Sequence, residues 1–412
     1  MMRIPGHEKV SSEGREPDPV NLTMPRQTLF GAGCLRTVGE VAAGLGTRAF
    51  LVTAPESAQA GDVVDRVYGE LVKHGMDPIT APMPEQYPDI AAVDSASETC
   101  AENQCDVIVG VGEIDVTDAA KLVSILCGSG ASSIRSFATG EQNIEARTLP
   151  LVSVPTPPVT GVELAAAAFV ADRVSGVGRS LRHPRLLPDI VIVDPDLGLS
   201  VSPGVTAVAG IGAFAHALEA FVSLRANELT ETLATEAVRL VGRNLLRAVR
   251  DEADADARTA LCVAAYLAGA AANGAGPGIA SLLAHPLGMT LGTRYAEALA
   301  VVLPASIEFN FDHAREMYER VPSLLAGDTD RTAGRFPNVL ADMYRETGLD
   351  GIIARHRIDY GKIEETICAV EESHTRAMTN PRPVDRAGVV RILRHAREHI
   401  HQLTLSRSPS AS

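Results

Sequence analysis

Two apolar stretches hold the side chains best suited to chemistry. In AGIGAFAHALEA, Ala209 to Ala220, His216 and Glu219 lie three apart and would share one helix face. A helix offering metal ligands one turn apart would need a donor four residues before His216, and that position is Gly212, which has none. In SLLAHPLGMTLGTRYAEALAVVLP, Ser281 to Pro304, His285 precedes Tyr295 by ten residues. Packed together, the two stretches would bring His216, Glu219, His285 and Tyr295 to one pocket as proton donors and acceptors. The plainer alternative is a histidine hydrogen-bonded within an apolar core, because a metal site needs several convergent donors.

The chain has 412 residues, enough for two domains with full cores. Its net charge of -14 argues against a nucleic-acid partner, which needs a basic face. Its apolar runs read as too short for a membrane span, the longest being Leu261 to Ala272, and the N-terminal MMRIPGHEKVSSEGREPDP lacks the apolar core of a signal peptide. The expectation is a cytoplasmic protein with a small-molecule substrate and no membrane partner. Its six cysteines are dispersed without a CxxC pair and read as small buried hydrophobes.

The elements that must position the two histidines follow from pattern. Residues 1–20 are polar and proline-punctuated, a disordered tail. Strands are predicted at Gln27 to Phe30, Ala49 to Thr53, Asp106 to Gly110, Leu149 to Val154 and Ile190 to Asp194. Helices are predicted among them at Cys34 to Leu45, Gly61 to His74, Ile90 to Ala101 and Asp115 to Leu126. Strands with helical crossovers give an α/β domain over 21–200, a Rossmann-like parallel sheet, with a hairpin expected between its last two strands. From Pro203 the pattern is helix after helix, an all-α domain over 201–404, and 405–412 reads as a second tail. The cleft between the domains is the expected site.

These motifs resemble the iron-containing (group III) alcohol dehydrogenase and dehydroquinate synthase-like superfamily. Its metal-binding helix reads G-M-D-A-x-x-H-x-x-E-A, and its later segment reads H-x-x-x-H-x-L-G, then H-G or H-A, then a run ending L-P. GIGAFAHALEA, SLLAHPLG and YAEALAVVLP align with these without gaps, and the resemblance runs from about Leu22 to the last helices. It implies the dehydroquinate synthase-like fold. It also implies metal-ligand positions at Gly212, His216, Ser281 and Tyr295, of which His216 alone keeps the family's ligand type, so no tightly bound iron or zinc is expected. His285 matches a family histidine that is not a ligand.

The same resemblance places the cofactor. The family's G-G-G-S-x-x-D-x-A-K appears as GEIDVTDAAK, keeping Gly112, Asp118, Ala120 and Lys121 while Glu113, Ile114 and Asp115 replace two glycines and a serine. A carboxylate about 5 Å from a phosphate would cost on the order of 3 kcal/mol at an effective dielectric near 20. Glu113 could escape toward solvent, Gly110 suggests a remodelled turn, and Asp115 as N-cap of an ordinary strand-to-helix turn is the alternative. The family's P-T-T-x-G-T-G-S-E appears as PTPPVTGVE, keeping Thr156, Thr160, Gly161 and Glu163. Ala54 stands where an acidic residue often contacts the ribose, which weakens that contact or permits NADP in place of NAD.

Within the superfamily the chain most resembles the maleylacetate reductase branch, through FGAGCL, RHPRLLPDIVIVDP and the AE after Tyr295. That branch implies catalysis without metal, with His285 as principal acid and Tyr295 where another histidine belongs. The expected function is a metal-independent oxidoreductase moving a hydride between NAD or NADP and a small carbonyl, enone or alcohol. The alternative is a catalytically inert homologue acting as a scaffold or regulatory partner. Pairing of N-terminal edge strands in this family implies a homodimer or, on the second reading, a subunit joined to an active homologue.

Overall fold

The computed structural model describes residues 22–54, 61–84, 86–144, 148–157, 159–326, 336–372 and 379–407, so the predicted N-terminal tail lies outside the described residues. The strands are β1 (Gln27–Phe30), β2 (Ala49–Thr53), β3 (Ile79–Pro82), β4 (Val107–Gly112), β5 (Leu151–Pro155), β6 (Ala167–Asp172), β7 (Val177–Arg182) and β8 (Ile190–Val193). The continuous apolar runs of β2, β4, β5 and β8 are buried along their length, as strands covered on both faces must be. They form the middle of a parallel sheet ordered β1-β8-β5-β4-β2-β3. The chain runs outward from β2 to β3 and then resumes on the other side with β4. The carboxyl ends of β2 and β4 therefore flank a switch point, where ligands of such sheets collect.

The pattern did not reveal β3. Its four residues are only partly buried and include Pro82, and an edge strand tolerates a residue that cannot complete a ladder. The expected helix from Cys34 is a 3-10 turn, Cys34–Thr37, continuing as Val38–Ala43. The expected hairpin forms as β6 and β7, an antiparallel pair outside the main sheet. Its turn is pinned by Asp172, which accepts from Val174 N–H at 3.1 Å and pairs with Arg135.

The second half is helical from Pro203. Ser202 caps helix Pro203–Val222 by accepting from Val205 N–H, and Pro203 suits the first turn, where no N–H partner is needed. That helix corrects the expectation of no spanning-length apolar run: it has 20 residues and the apolarity of a membrane span. It is a core helix here, with 89 % of its apolar window buried. Helices Glu228–Arg250 and Ala255–Ala275 pack on it, the first opened by a capping box between Asn227 and Thr230. The last helix, Arg386–Arg407, runs three residues past the predicted end at 404. Cys100 and Cys105 are buried as expected, whereas Cys368 is exposed.

One close approach joins the halves. A Cβ on Gly269, in helix Ala255–Ala275, would lie 1.9 Å from the carbonyl oxygen of Gly161, and one on Gly161 would lie 2.0 Å from that of Ala265. Gly161 also has φ +93°, which a side chain disfavours. Neither neighbour is a side chain that can swing away. Gly269→Ala is expected to destabilise the fold by about 3 kcal/mol, whereas Gly69→Ala, in a helix with open space around it, should stabilise by about 0.5 kcal/mol; urea unfolding of both checks this.

Candidate active site

Helices Pro203–Val222, Ile279–Leu291 and Tyr295–Asn310 carry His216, His285 and Tyr295 to one cleft against the β6–β7 hairpin. His216 Nδ1 lies 2.9 Å from the Thr160 carbonyl oxygen. A carbonyl only accepts, so Nδ1 carries the hydrogen and Nε2 the lone pair. Nε2 then accepts from the Tyr295 hydroxyl at 3.0 Å. Burial holds the His216 pKa down to about 4, so the ring is neutral at pH 7, and burial pushes the Tyr295 phenol well above its usual value.

His285 is sandwiched by rings. It stacks on Phe169 with centroids 4.2 Å apart and planes 5° apart, and its other face meets Tyr295 at 4.3 Å. Gly178 makes room for Phe169, since a Cβ there would come 1.9 Å from its Cζ. His285 Nδ1 is buried without a protein partner, and burial, aided by nearby His216, lowers the pKa to about 3.

The family ligand positions do not compose a metal site. Gly212 offers no donor, and a Cβ there would lie 2.6 Å from Thr160 Cγ2, so the methyl fills the ligand's place. Ser281 donates its hydroxyl to Glu219, and Tyr295 occupies the one usable nitrogen of His216. Among the described residues no group of three histidine, cysteine, aspartate or glutamate side chains converges as ligands would. One imidazole and two neutral hydroxyls do not fit a tightly held divalent ion.

Glu219 is held by the start of helix Ile279–Leu291. Its carboxylate accepts from Ala280 N–H at 2.7 Å and Ser281 N–H at 3.2 Å, capping helix Ile279–Leu291 away from the cleft lining. The sequence reading missed Phe169, because its ring gains meaning only from the neighbour it stacks on.

The residues expected to hold a cofactor divide. Gly110 and Gly112 let helix Ile114–Ser129 lie close on β4: Cβ atoms there would come 2.8 Å from Ala120 Cβ and 2.6 Å from Val116 Cβ. Lys121 is buried, 3.4 Å from Asp118 and donating to Ala167 O at 3.0 Å, while Asp118 accepts from Phe169 N–H at 2.8 Å. The pair ties helix to hairpin. Thr156 N–H donates to Gly112 O, and buried Glu163 holds the next loop through Gly161 N–H at 2.8 Å. Thr160 turns its carbonyl to His216.

At the switch point Glu113 is the N-cap residue, correcting the assignment of Asp115, and its side chain makes no cap bond. Its half-exposed side chain meets Arg294 of the helical domain at 3.0 Å. The helix N-terminus is therefore left uncapped, with an arginine beside it, and those features fit a dinucleotide phosphate. Behind them burial, with Asp118 and Glu113 nearby, raises the Asp115 pKa to about 7.

The sequence and the fold match known proteins. The family described as iron-containing alcohol dehydrogenase matches residues 25–195, and its C-terminal part matches 206–397. The chain belongs to the iron-containing alcohol dehydrogenase family. It is 31 % identical to the probable alcohol dehydrogenase EutG of Escherichia coli, over 79 % of this chain and 82 % of that protein. It is 26 % identical to the maleylacetate reductase of Sphingobium indicum, over 92 % and 98 %. The solved structure of a 1,3-propanediol oxidoreductase superposes with TM-score 0.81 at 25 % identity, covering 92 % of this chain and all of that one, 100 %. A sulfoacetaldehyde reductase from Bifidobacterium kashiwanohense, in complex with NAD+, shares the fold at TM-score 0.75 and 21 % identity, over 92 % and 98 %. As a family member the chain is an oxidoreductase.

Two outcomes test the site. Gly212→Asp alone should gain no stoichiometric zinc by elemental analysis after zinc dialysis, because Thr160 blocks the position and Ser281 and Tyr295 stay committed. Asp115 has a folded pKa raised to about 7 above an unfolded value near 4, so its contribution to stability is full below pH 4 and lost as pH rises through 7. Asp115→Asn should be more stable than wild type at pH 8 by on the order of 3 kcal/mol and similar at pH 4, measured by urea unfolding.

Proposed function

We propose that this chain is a metal-independent, NAD(P)-linked oxidoreductase acting on a small carbonyl, enone or alcohol. The observation that carries the proposal is the Tyr295–His216 hydrogen bond in the cleft that His285 also lines, with a metal ligand's place taken by a proton donor. The bound nicotinamide would supply or accept the hydride. The uncapped start of helix Ile114–Ser129 would hold the diphosphate, with Arg294 offsetting the charge of Glu113.

The reacting oxygen takes its proton from this chain. Tyr295 carries one hydroxyl hydrogen, which points to His216 at rest and reaches the cleft when the O–H turns about its C–O bond. Its high pKa keeps that hydrogen in place at neutral pH, and it donates as charge develops on a substrate oxygen. His216, locked through Thr160, fixes the phenol's position. His285 stays neutral, its ring plane held between Phe169 and Tyr295, and one ring N–H can polarise the same oxygen.

Chelator-treated protein titrated with NADH and NADPH should enhance reduced-nicotinamide fluorescence with micromolar affinity, and the untreated protein should carry no stoichiometric metal. Tyr295→Phe should leave that binding within a few-fold while lowering kcat for aldehyde reduction about a hundredfold or more. Absence of binding by either cofactor up to millimolar concentration would sink the proposal and favour the inert homologue.

A further inference from the structure

Three of the chain's six cysteines meet at a place the proposed reaction does not use. Helix Ile90–Glu102 ends in a turn closed by two backbone bonds: Cys105 N–H donates to Cys100 O at 3.0 Å, and Gln104 N–H donates to Ala101 O at 3.0 Å. Gln104 takes φ +53°, the left-handed conformation that such a helix end requires and that glycine usually supplies. The residues joined by the longer of the two bonds flank the turn, so the side chains of Cys100 and Cys105 are set against each other. Both are buried, at 0 % and 8 % exposure.

Their separation suits a covalent bond. The backbone bond between them holds the two Cα atoms about 5.5 Å apart, the usual span of a disulfide. The Cys100 thiol is hydrogen-bonded to Cys105 and also to Cys127 of helix Ile114–Ser129, whose own Sγ lies 3.6 Å from Ser97 O, one turn before Cys100. Cys127 approaches from another helix, whereas Cys105 is tied to Cys100 through the backbone. Donation from the Cys100 thiol, aided by the nearby Arg48 guanidinium, lowers the Cys105 pKa and so favours its thiolate. Cys105 also lies beside exposed Gln104, nearer to solvent than Cys100. Two small apolar side chains would pack this turn equally well, but only two sulfurs make the contact oxidisable.

We propose that Cys100 and Cys105 form a reversible oxidation site, closed to a disulfide by a hydroperoxide and reopened by a small thiol. The Cys105 sulfur attacks a peroxide oxygen; the O–O bond breaks, Cys105 becomes a sulfenic acid, and the other oxygen leaves with the thiol proton as water or an alcohol. The Cys100 sulfur then attacks Cys105; the S–S bond forms, the S–O bond breaks, and the hydroxyl leaves as water with the Cys100 proton. The two thiols give up two electrons and the peroxide takes them. Two small thiols reverse the closure by exchange and leave as their own disulfide. The pair precedes β4 at the end of that strand opposite the switch point, so its oxidation is independent of the reaction proposed for the cleft.

The test treats the reduced full chain with a small molar excess of hydrogen peroxide, alkylates the remaining thiols and digests with trypsin without reduction. Cys100 and Cys105 share the tryptic peptide from His74 to Lys121, whereas Cys127 falls in the next, Leu122 to Arg135. By mass spectrometry the first peptide should be unalkylated and two hydrogens lighter than its dithiol form, and dithiothreitol before alkylation should restore both labels. Cys127→Ser should keep this internal bridge and Cys105→Ser should lose it, with thermal unfolding checking that each variant is folded. Oxidised wild type should unfold a few degrees above the reduced protein, because the bridge fits the native turn. Full alkylation of both cysteines after peroxide, oxidation to sulfinic acid without a bridge, or a cross-link joining the two peptides in place of the internal bridge overturns the site. So does an oxidised wild type that unfolds at a lower temperature than the reduced one.

Discussion

The 2.9 Å bond from His216 Nδ1 to the Thr160 carbonyl oxygen is the contact on which the site depends. It crosses between the domains, sets the imidazole tautomer and decides that Tyr295 is the donor in the next bond. The carbonyl is itself held in place. Glu163 grips the loop through Gly161 N–H, and Gly161 meets Gly269 with no room for a side chain on either. A proton-donor geometry thus rests on two glycines and a buried carboxylate that touch no reacting atom.

The residues around His216 and Glu219 form one mutually satisfied arrangement. Where a ligand aspartate would stand, the Thr160 methyl fills the space beside Gly212. Where ligand histidines would stand, the Ser281 hydroxyl satisfies Glu219 and the Tyr295 hydroxyl satisfies His216. Each of these positions is engaged by a local contact that ties the helices together. Buried polar groups left without partners would have cost about 1–3 kcal/mol each. The same logic operates at the switch point, where the added charge of Glu113 is met by Arg294 from the other domain.

Much of the architecture was legible because periodicity reports burial. Runs such as AFLVT and IVIV have no polar face and can only be interior strands, and the switch to helical patterning after Pro203 marks where the sheet ends. The elements missed were those stabilised from outside themselves. Strand β3 exists because β2 offers it a free edge, and the first helix opens as a 3-10 turn whose Gly33 and Leu35 N–H groups are held by Asp194, distant in sequence.

The sequence by itself determined the order of elements, the family, and the side chains available at the altered ligand positions, because those depend on residue type and local spacing. Tertiary structure decided their roles. It turned Glu219 into a helix cap and Lys121 into a strut, paired Glu113 with a residue 181 positions away, and stacked Phe169 on His285. Each of these depends on which groups desolvate one another across the cleft, a quantity set by three-dimensional packing that no local spacing encodes.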